Sequence, residues 1–295
     1  MLRRALFRVY KDAAKLIFGS SLERYYPAHP LHRRLLASIR PDVTTVRGHE
    51  MYLDPVDSLL LSMRGIYEPA ETALVQRLVE PGSTVLDIGA NIGYYTLQFA
   101  ELVGASGRVI AYEPDPANFE LLERNTQLNG YLNVTLVQRA ASNTAGILNL
   151  HRSITNWGDS RIFDSHDGRS TVEIASIRLD DHLADLDSVS FIKMDIQGAE
   201  GVALEGMMGL LGRSPQAKIL TEFWPEGLAG CGTSPQAFLD SITALGFALY
   251  EVGEEPGDLV LTTSQSLMAR RDLASGSHAN LLCSRQPMHL RASSE

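Results

Sequence analysis

Apolar residues cluster in short runs near 84–88, 108–113, 133–138, 189–195, 217–223, 247–252 and 279–284, each bounded by turn-forming residues. Runs of that length between turn signals predict buried strands. Between them, apolar positions recur three and four residues apart and predict helices near 94–103, 116–129, 200–211 and 235–245. Another helix is predicted over 71–79, stopped by Pro81-Gly82. In 116–129, Phe119, Leu122 and Leu128 share one side, and Glu120 meets Arg124 one turn on. Strands and helices in alternation predict an α/β fold, a mostly parallel sheet with helices on both faces. The interval 142–178 breaks the rhythm, with extra strands near 147–150 and 171–177 joined by a polar loop containing Gly158 and Gly168. Residues 253–278 are polar and read as a loop or lid.

Upstream, two short strands at 43–46 and 50–53 flank the turn Arg47-Gly48-His49. Pro27, Pro30 and Pro41 punctuate the stretch before them. Leu2, Leu6, Val9, Ala13, Leu16 and Ile17 recur at helical spacing beside Arg4, Arg8, Lys11 and Lys15, the pattern of a basic amphipathic helix. The expected organisation is a basic helical segment over 1–42, short strands and a helix over 43–82, and an α/β domain over 83–295.

Charge sharpens this division. Nine Lys or Arg against two acids fall in residues 1–40, which leaves the rest of the chain at −16 within a total of −9. The acidic body argues against bulk nucleic-acid binding, which rests on phosphate neutralisation. The basic helix suits either an anionic membrane surface or packing on its own domain or a partner subunit in a homodimer or biosynthetic complex. No apolar run approaches the ~20 residues of a membrane span, and Arg8, Lys11 and Asp12 interrupt any signal-peptide core. Cys231 and Cys283 form no Cys-x-x-Cys pair, so neither a zinc site nor a disulfide framework is expected. The expected location is cytoplasmic, peripheral to the inner face of the membrane if the helix docks there.

The chemistry gathers at Thr84-Val85-Leu86-Asp87-Ile88-Gly89-Ala90-Asn91-Ile92-Gly93-Tyr94-Tyr95. A buried strand runs into a glycine-spaced turn and a helix start, the place where an open α/β sheet binds ligands. Dinucleotide sites use Gly-x-Gly-x-x-Gly to seat a pyrophosphate; here Asp87 precedes the turn, and a carboxylate repels phosphate but attracts an ammonium. The next strand ends in Glu113, an acid suited to a ribose diol. Two acids at consecutive strand ends fit S-adenosylmethionine, which has an ammonium, a sulfonium and no phosphate, better than NAD.

Further motifs join these: Gly65-Ile66-Tyr67-Glu68-Pro69, Glu113-Pro114-Asp115-Pro116 with Asn118 and Phe119, the stretch 125–130, Ile177-Arg178-Leu179-Asp180-Asp181, and Phe191-Ile192-Lys193-Met194-Asp195-Ile196-Gln197-Gly198-Ala199-Glu200. In order and spacing the chain resembles, over roughly residues 45 to 252, the FkbM family of S-adenosylmethionine-dependent methyltransferases. The resemblance implies a class I methyltransferase, Rossmann-like fold: a seven-stranded, mostly parallel sheet with its last strand antiparallel. It implies methyl transfer, most often to an oxygen of a sugar, polyketide or other small molecule. The cofactor-binding set it implies is Tyr67, Glu68, Asp87, Gly89, Asn91, Gly93, Glu113, Pro114, Asn118, Ala141, Ser142 and Asp195. Gly89, Asn91 and Gly93 form the turn, Glu113 takes the ribose, and Ala141 and Ser142 lie where the family contacts adenine. Arg139-Ala140-Ala141-Ser142-Asn143 departs from the family there, lacking the usual acid.

Attack by a hydroxyl on an activated methyl needs alignment and a proton acceptor. Asp195, at the carboxyl end of the fourth strand, is the first candidate, and Glu222, near the end of the next, the second. The two together also form a carboxylate pair of the kind that holds a divalent cation, although no metal is expected. Glu200 opens the following helix, either as a substrate contact or as an acid favoured by the helix dipole. Trp224 either stacks on a sugar acceptor or fills the core. Base N-methyltransferases place Asn or Asp before Pro-Pro and an aromatic at this point; Asp195-Ile196-Gln197-Gly198 does not match, which argues against a nucleic-acid substrate. The alternatives to hydroxyl methylation are a nitrogen or carboxylate acceptor, or a role mainly in assembly.

Overall fold

The computed structural model describes residues 2–18, 38–153, 156–270 and 278–288. It forms two compact units, residues 1–67 and 68–295. The boundary therefore falls at Tyr67 rather than at 42 and 82. Helix 69–78 goes with the second unit because Leu74 and Val75 are buried there.

The first unit contains α1 (Leu2–Phe18), the hairpin β1 (Val43–Val46) and β2 (His49–Tyr52), and α2 (Leu61–Arg64). The hairpin turns on two residues, Arg47 and Gly48, both with positive φ. That geometry matches the right-handed twist of the strands, so His49 joins the ladder opposite Val46 instead of belonging to the turn. Phe7, Val46, Met51 and Leu61 are buried. The expected apolar stripe of α1 is corrected: Phe7 is buried, while Leu6 and Val9 are 48% and 68% exposed. Lys11 donates to the Ser62 carbonyl at 3.1 Å, so the basic side in part serves its own unit. The side chains of Leu2, Arg4, Lys15, Leu16 and Ile17, and Pro27 and Pro30 altogether, lie outside the described residues.

The second unit opens with α3 (Pro69–Leu78), β3 (Thr84–Ile88), α4 (Tyr94–Val103), β4 (Arg108–Tyr112), α5 (Pro116–Leu128) and β5 (Val134–Val137). A side sheet follows: β6 (Ala140–Ser142), β7 (Gly146–Arg152) and β8 (Ser170–Arg178). Then come α6 (Leu179–His182), β9 (Phe191–Met194), α7 (Glu200–Glu205), α8 (Met208–Gly212), β10 (Lys218–Phe223), α9 (Pro225–Gly230) and α10 (Pro235–Ala244). The unit closes with β11 (Ala248–Val252), β12 (Leu259–Thr262), α11 (Ser264–Arg270) and β13 (Ala279–Ser284).

The main sheet has the order β12-β11-β13-β10-β9-β3-β4-β5. β5, β4, β3, β9 and β10 run parallel, and β13 runs antiparallel between β10 and β11. This is the class I methyltransferase arrangement, with β12 added as an eighth strand. The central strands read as unbroken apolar runs because both faces are covered: Val85, Leu86, Ile88, Ile110, Ile192, Ile219 and Leu281 are all buried. The chain order reverses beside β3, and the ends of β3, β9 and β10 open into the crevice where such sheets bind ligands.

Two expectations change. The 200–211 helix breaks at Gly206 into α7 and α8, since a Cβ at Gly206 would stand 1.9 Å from the Ser142 carbonyl oxygen. The 253–278 segment is not a plain loop: it holds β12, paired antiparallel with β11, and α11. Leu259 and Leu267 are buried and anchor these elements, two apolar positions within a polar stretch. Residues 271–277 lie outside the described residues.

Candidate active site

The site is assembled at the ends of β3, β4, β9 and β10. Gly89 turns with φ +84, and a Cβ there would fall 2.1 Å from the Asp195 carbonyl oxygen, so only glycine lets the ends of β3 and β9 meet this closely. The N–H groups of Gly89 and Ala90 both donate to the Tyr112 carbonyl at 2.9 Å. Asn91 is left-handed, with φ +52. Its N–H donates to Glu113 Oε2 at 2.8 Å, and the Asp115 N–H donates to Oε1 at the same distance. Glu113 thus ties the turn to β4. Burial pushes its carboxyl up to about 8, against the partial relief of those two amides.

Asp115 caps α5, accepting from Ala117 and Asn118, and pairs with Arg152 Nε at 2.7 Å. Asn118 is buried and donates to the Trp157 carbonyl at 3.2 Å. Its Oδ1 has no hydrogen-bond partner among the described residues, leaving a buried acceptor in the first turn of α5.

A second cluster surrounds Lys193, a lysine in an otherwise apolar strand. It is 5% exposed; its Nζ lies 3.1 Å from Asp195 Oδ2 and 4.5 Å from the Tyr95 ring centre. Burial opposes its charge, but Asp195, Glu68 and Asp87 outweigh burial and hold the ammonium above its ordinary value. Gln197, left-handed with φ +55, donates to Asp195 Oδ1 at 3.0 Å. Burial works against the Asp195 charge too, yet Lys193 and these hydrogen bonds keep the carboxyl below its ordinary value. Glu68, left-handed with φ +43, accepts from the Tyr95 hydroxyl at 2.9 Å. Burial raises Glu68 to about 7 and Asp87 to about 6; Asp87 accepts from Thr96 Oγ1 at 2.5 Å. Left-handed non-glycine residues cost free energy and gather at functional sites; Glu68, Asn91 and Gln197 all border this one.

Glu222 completes the cluster. A small cavity is lined by Glu68, Glu71, Lys193, Asp195, Glu222 and Asn280. Glu222 Oε2 is buried with no partner among the described residues. Burial, then the charges of Asp195, Glu200 and Glu68, raise its carboxyl to about 9.

The structure therefore brings together Glu68, Asp87, Gly89, Asp195 and Glu222, and beside them Asn91, Gly93, Glu113, Pro114 and Asn118. Four of the other expected residues have structural partners of their own. Glu200 is fully buried, with its oxygens accepting from Ile196 N–H at 2.8 Å and Gly198 N–H at 2.9 Å, so it holds the turn after β9 and is not free to contact a substrate. Trp224 fills a core position: it packs against Phe163 at 6.0 Å, with the Arg161 guanidinium 4.6 Å over its ring, and it is not an open stacking surface. Ala141 lies in the core, and the Ser142 carbonyl is packed by Gly206, so both support the side sheet. Tyr67 is the last residue of the first unit. The Asp195 oxygens are held by Lys193 and Gln197, and among the described residues no group of three or more His, Cys, Asp or Glu is placed to hold a metal ion.

Lys193, Tyr95 and Gln197 are site residues that motif reading did not single out. The available signal was Lys193 itself, since a lysine within a buried strand requires partners.

S-adenosylmethionine fits this arrangement. Among the described residues Glu68, Asp87, Asp195 and Glu222 gather around the Lys193 ammonium, an excess of acids that favours a ligand carrying net positive charge. The orphaned Asn118 Oδ1 offers an acceptor for polar groups of an adenosyl moiety.

Residues 87–249, more than half of the chain, match the family described as Methyltransferase FkbM domain. The chain is 39% identical over 59 residues to a protein-L-isoaspartate O-methyltransferase of Methanococcoides burtonii, covering 20% of this chain and 29% of that one. It is 25% identical over 155 residues to methyltransferase sdnD of Sordaria araneosa, covering 42% and 60%. These curated relatives are matched over less than two thirds of their own length. A solved methyltransferase FkbM from Methylobacillus flagellatus KT aligns at 16% identity with a TM-score of 0.42, covering 90% of this chain and 60% of that one.

Proposed function

This chain belongs to the FkbM family of S-adenosylmethionine-dependent methyltransferases, and on that premise we propose that it methylates a hydroxyl of a small molecule, sugar or glycan. The observation that carries the reading is the buried Glu222 Oε2, without a hydrogen-bond partner among the described residues, near a strand end and in the same cavity as the Lys193–Asp195 pair. When bound, the cofactor supplies a methyl group already activated by its sulfonium. The residues do the rest. The turn Gly89–Gly93 and Glu113 seat the adenosyl end, Asn118 accepts from it, and the Asp87 and Glu68 carboxylates receive the ammonium. Lys193 and Gln197 fix Asp195, which orients the acceptor hydroxyl. Glu222, with no competing hydrogen bond on Oε2, takes the hydroxyl proton.

The test is calorimetric titration of S-adenosylmethionine and S-adenosylhomocysteine into wild type and Glu113→Ala, followed by methyl transfer to a panel of hydroxylated acceptors. Both ligands bind wild type, and the variant binds each at least about tenfold more weakly, in line with the loss of a charged hydrogen bond. Binding of NADH instead, or methylation confined to nitrogen acceptors, overturns the reading.

A second reading concerns α1. Leu6 and Val9 are exposed beside Arg3 and Arg8, which suits contact with an anionic lipid surface. No described helix is long and apolar enough to cross a membrane.

A further inference from the structure

We propose that Glu222 makes the site sense cofactor charge: its carboxyl gives up a proton when the sulfonium cofactor enters and keeps it when the neutral-sulfur product, S-adenosylhomocysteine, is bound. The inference rests on the functional reading above and deepens it.

The geometry is a cavity in which acids outnumber cations. Lys193 and Asp195 face Glu222 from β9 and its end. Glu68 and Glu71 face it from the start of α3, and Glu200 acts on it from α7. Asn280 stands opposite on β13, but its amide is turned to Glu71 and leaves Glu222 Oε2 without a donor. Lys193 is already committed to Asp195. A carboxylate at 222 would therefore be buried, with Oε2 lacking a donor and like charge around it, and the group lowers its energy by holding a proton. The direction of its titration, raised to about 9, agrees.

A ligand decides the balance. S-adenosylmethionine brings an ammonium and a sulfonium against one carboxylate, a net charge of about +1 at neutral pH, whereas S-adenosylhomocysteine has lost the sulfonium and is neutral overall. Positive charge entering the cluster stabilises the Glu222 carboxylate. The O–H bond breaks, its electron pair stays on the carboxylate, and the proton passes to solvent. With the product bound the ammonium remains but the sulfonium charge is gone, and the carboxyl stays neutral. Glu222 thus becomes ionised only when the methyl donor is present, and by linkage the site prefers donor over product more strongly as pH rises.

Calorimetry on the full chain, at about pH 7.5 in phosphate and in Tris, reads the proton count from the dependence of the binding heat on buffer ionisation. We expect S-adenosylmethionine to release up to about one proton more than S-adenosylhomocysteine, and the ratio of their affinities to rise with pH by up to about tenfold per unit below the titration. Glu222→Gln binds both ligands with equal proton counts and a flat ratio. Equal counts for the two ligands in the wild type overturn the inference alone, without recourse to any variant. So does a wild-type difference that survives in Glu222→Gln. Failure of both ligands to bind overturns the functional reading and the inference together.

Discussion

Gly89 shows how narrow the tolerance is at single positions. With φ +84 and the Asp195 carbonyl 2.1 Å from where a Cβ would stand, Gly89→Ala must push β3 and β9 apart. We expect a loss of about 1–3 kcal/mol from strain and overpacking, read by urea denaturation, together with loss of cofactor affinity. Lys193→Met has a different origin. It removes the ammonium that Asp195, Glu68 and Asp87 hold, and stripping one partner from a buried pair costs about 3–5 kcal/mol. A midpoint in urea unchanged from wild type would show that Lys193 is not the counter-ion described. At this scale the sequence revealed what depends on residue type and spacing. Asp87, the two glycines and Glu113 announce a cofactor turn because their chemistry is local to it. It did not reveal what depends on compensation across strands. The partners of Lys193, which come from β3, the start of α3 and the end of β9, are settled by atoms brought together from several elements.

Elements tell a similar story one level up. The strands were legible because burial on both faces forces continuous apolar runs, and α4, α5 and α10 because one apolar face repeats at helical spacing. The break between α7 and α8 was hidden, since Gly206 matters only through Ser142, far away in the chain. β12 and α11 were hidden because two buried leucines anchor an otherwise polar stretch. The segment between β7 and β8 is pinned by an aromatic–cation stack: Arg161 over Trp224 and over Phe163 at 5.7 Å, with Asp159 holding the guanidinium at 2.8 Å. Trp224→Ala should cost about 3–5 kcal/mol and raise hydrogen exchange selectively over 156–170; unchanged exchange there would mean that the stack does not anchor the segment. For α1, Leu6→Asp with Val9→Asp replaces two outward-facing residues. We expect binding to anionic vesicles to fall while thermal stability stays within about 0.5 kcal/mol, as for surface substitutions generally. Equal partitioning of variant and wild type would remove the membrane reading.

The whole molecule carries a signature of its acids. Glu113, Glu222, Glu68 and Glu200 are raised to about 8, 9, 7 and 7 in the folded chain, against about 4.3 for an unfolded glutamate. The folded state therefore binds more protons than the unfolded state above about pH 4, and stability falls as pH rises through that window to about 9. Asp195 acts in the opposite sense, but only in acid, between its lowered value and the unfolded aspartate value of about 3.9, and Lys193 contributes until strongly alkaline pH. We expect the ligand-free protein to melt at least about 4 °C lower at pH 9 than at pH 6, a shift corresponding to more than about 1 kcal/mol in a chain of this size. A melting temperature that rises over this range would contradict the buried acids.

The antiparallel strand β13 has a consequence for the making of the protein. It sits between β10 and β11, yet the ribosome produces it after every other described strand. Until residues 279–284 emerge, β10 and β11 each present an unpaired edge of backbone N–H and C=O groups, a surface open to pairing with another chain. Nascent or prematurely terminated chains are therefore clients for chaperones and prone to aggregate. A stop codon before β13 should abolish soluble protein altogether, even though Asp87, Glu113, Asp195 and Glu222 have all been translated by then.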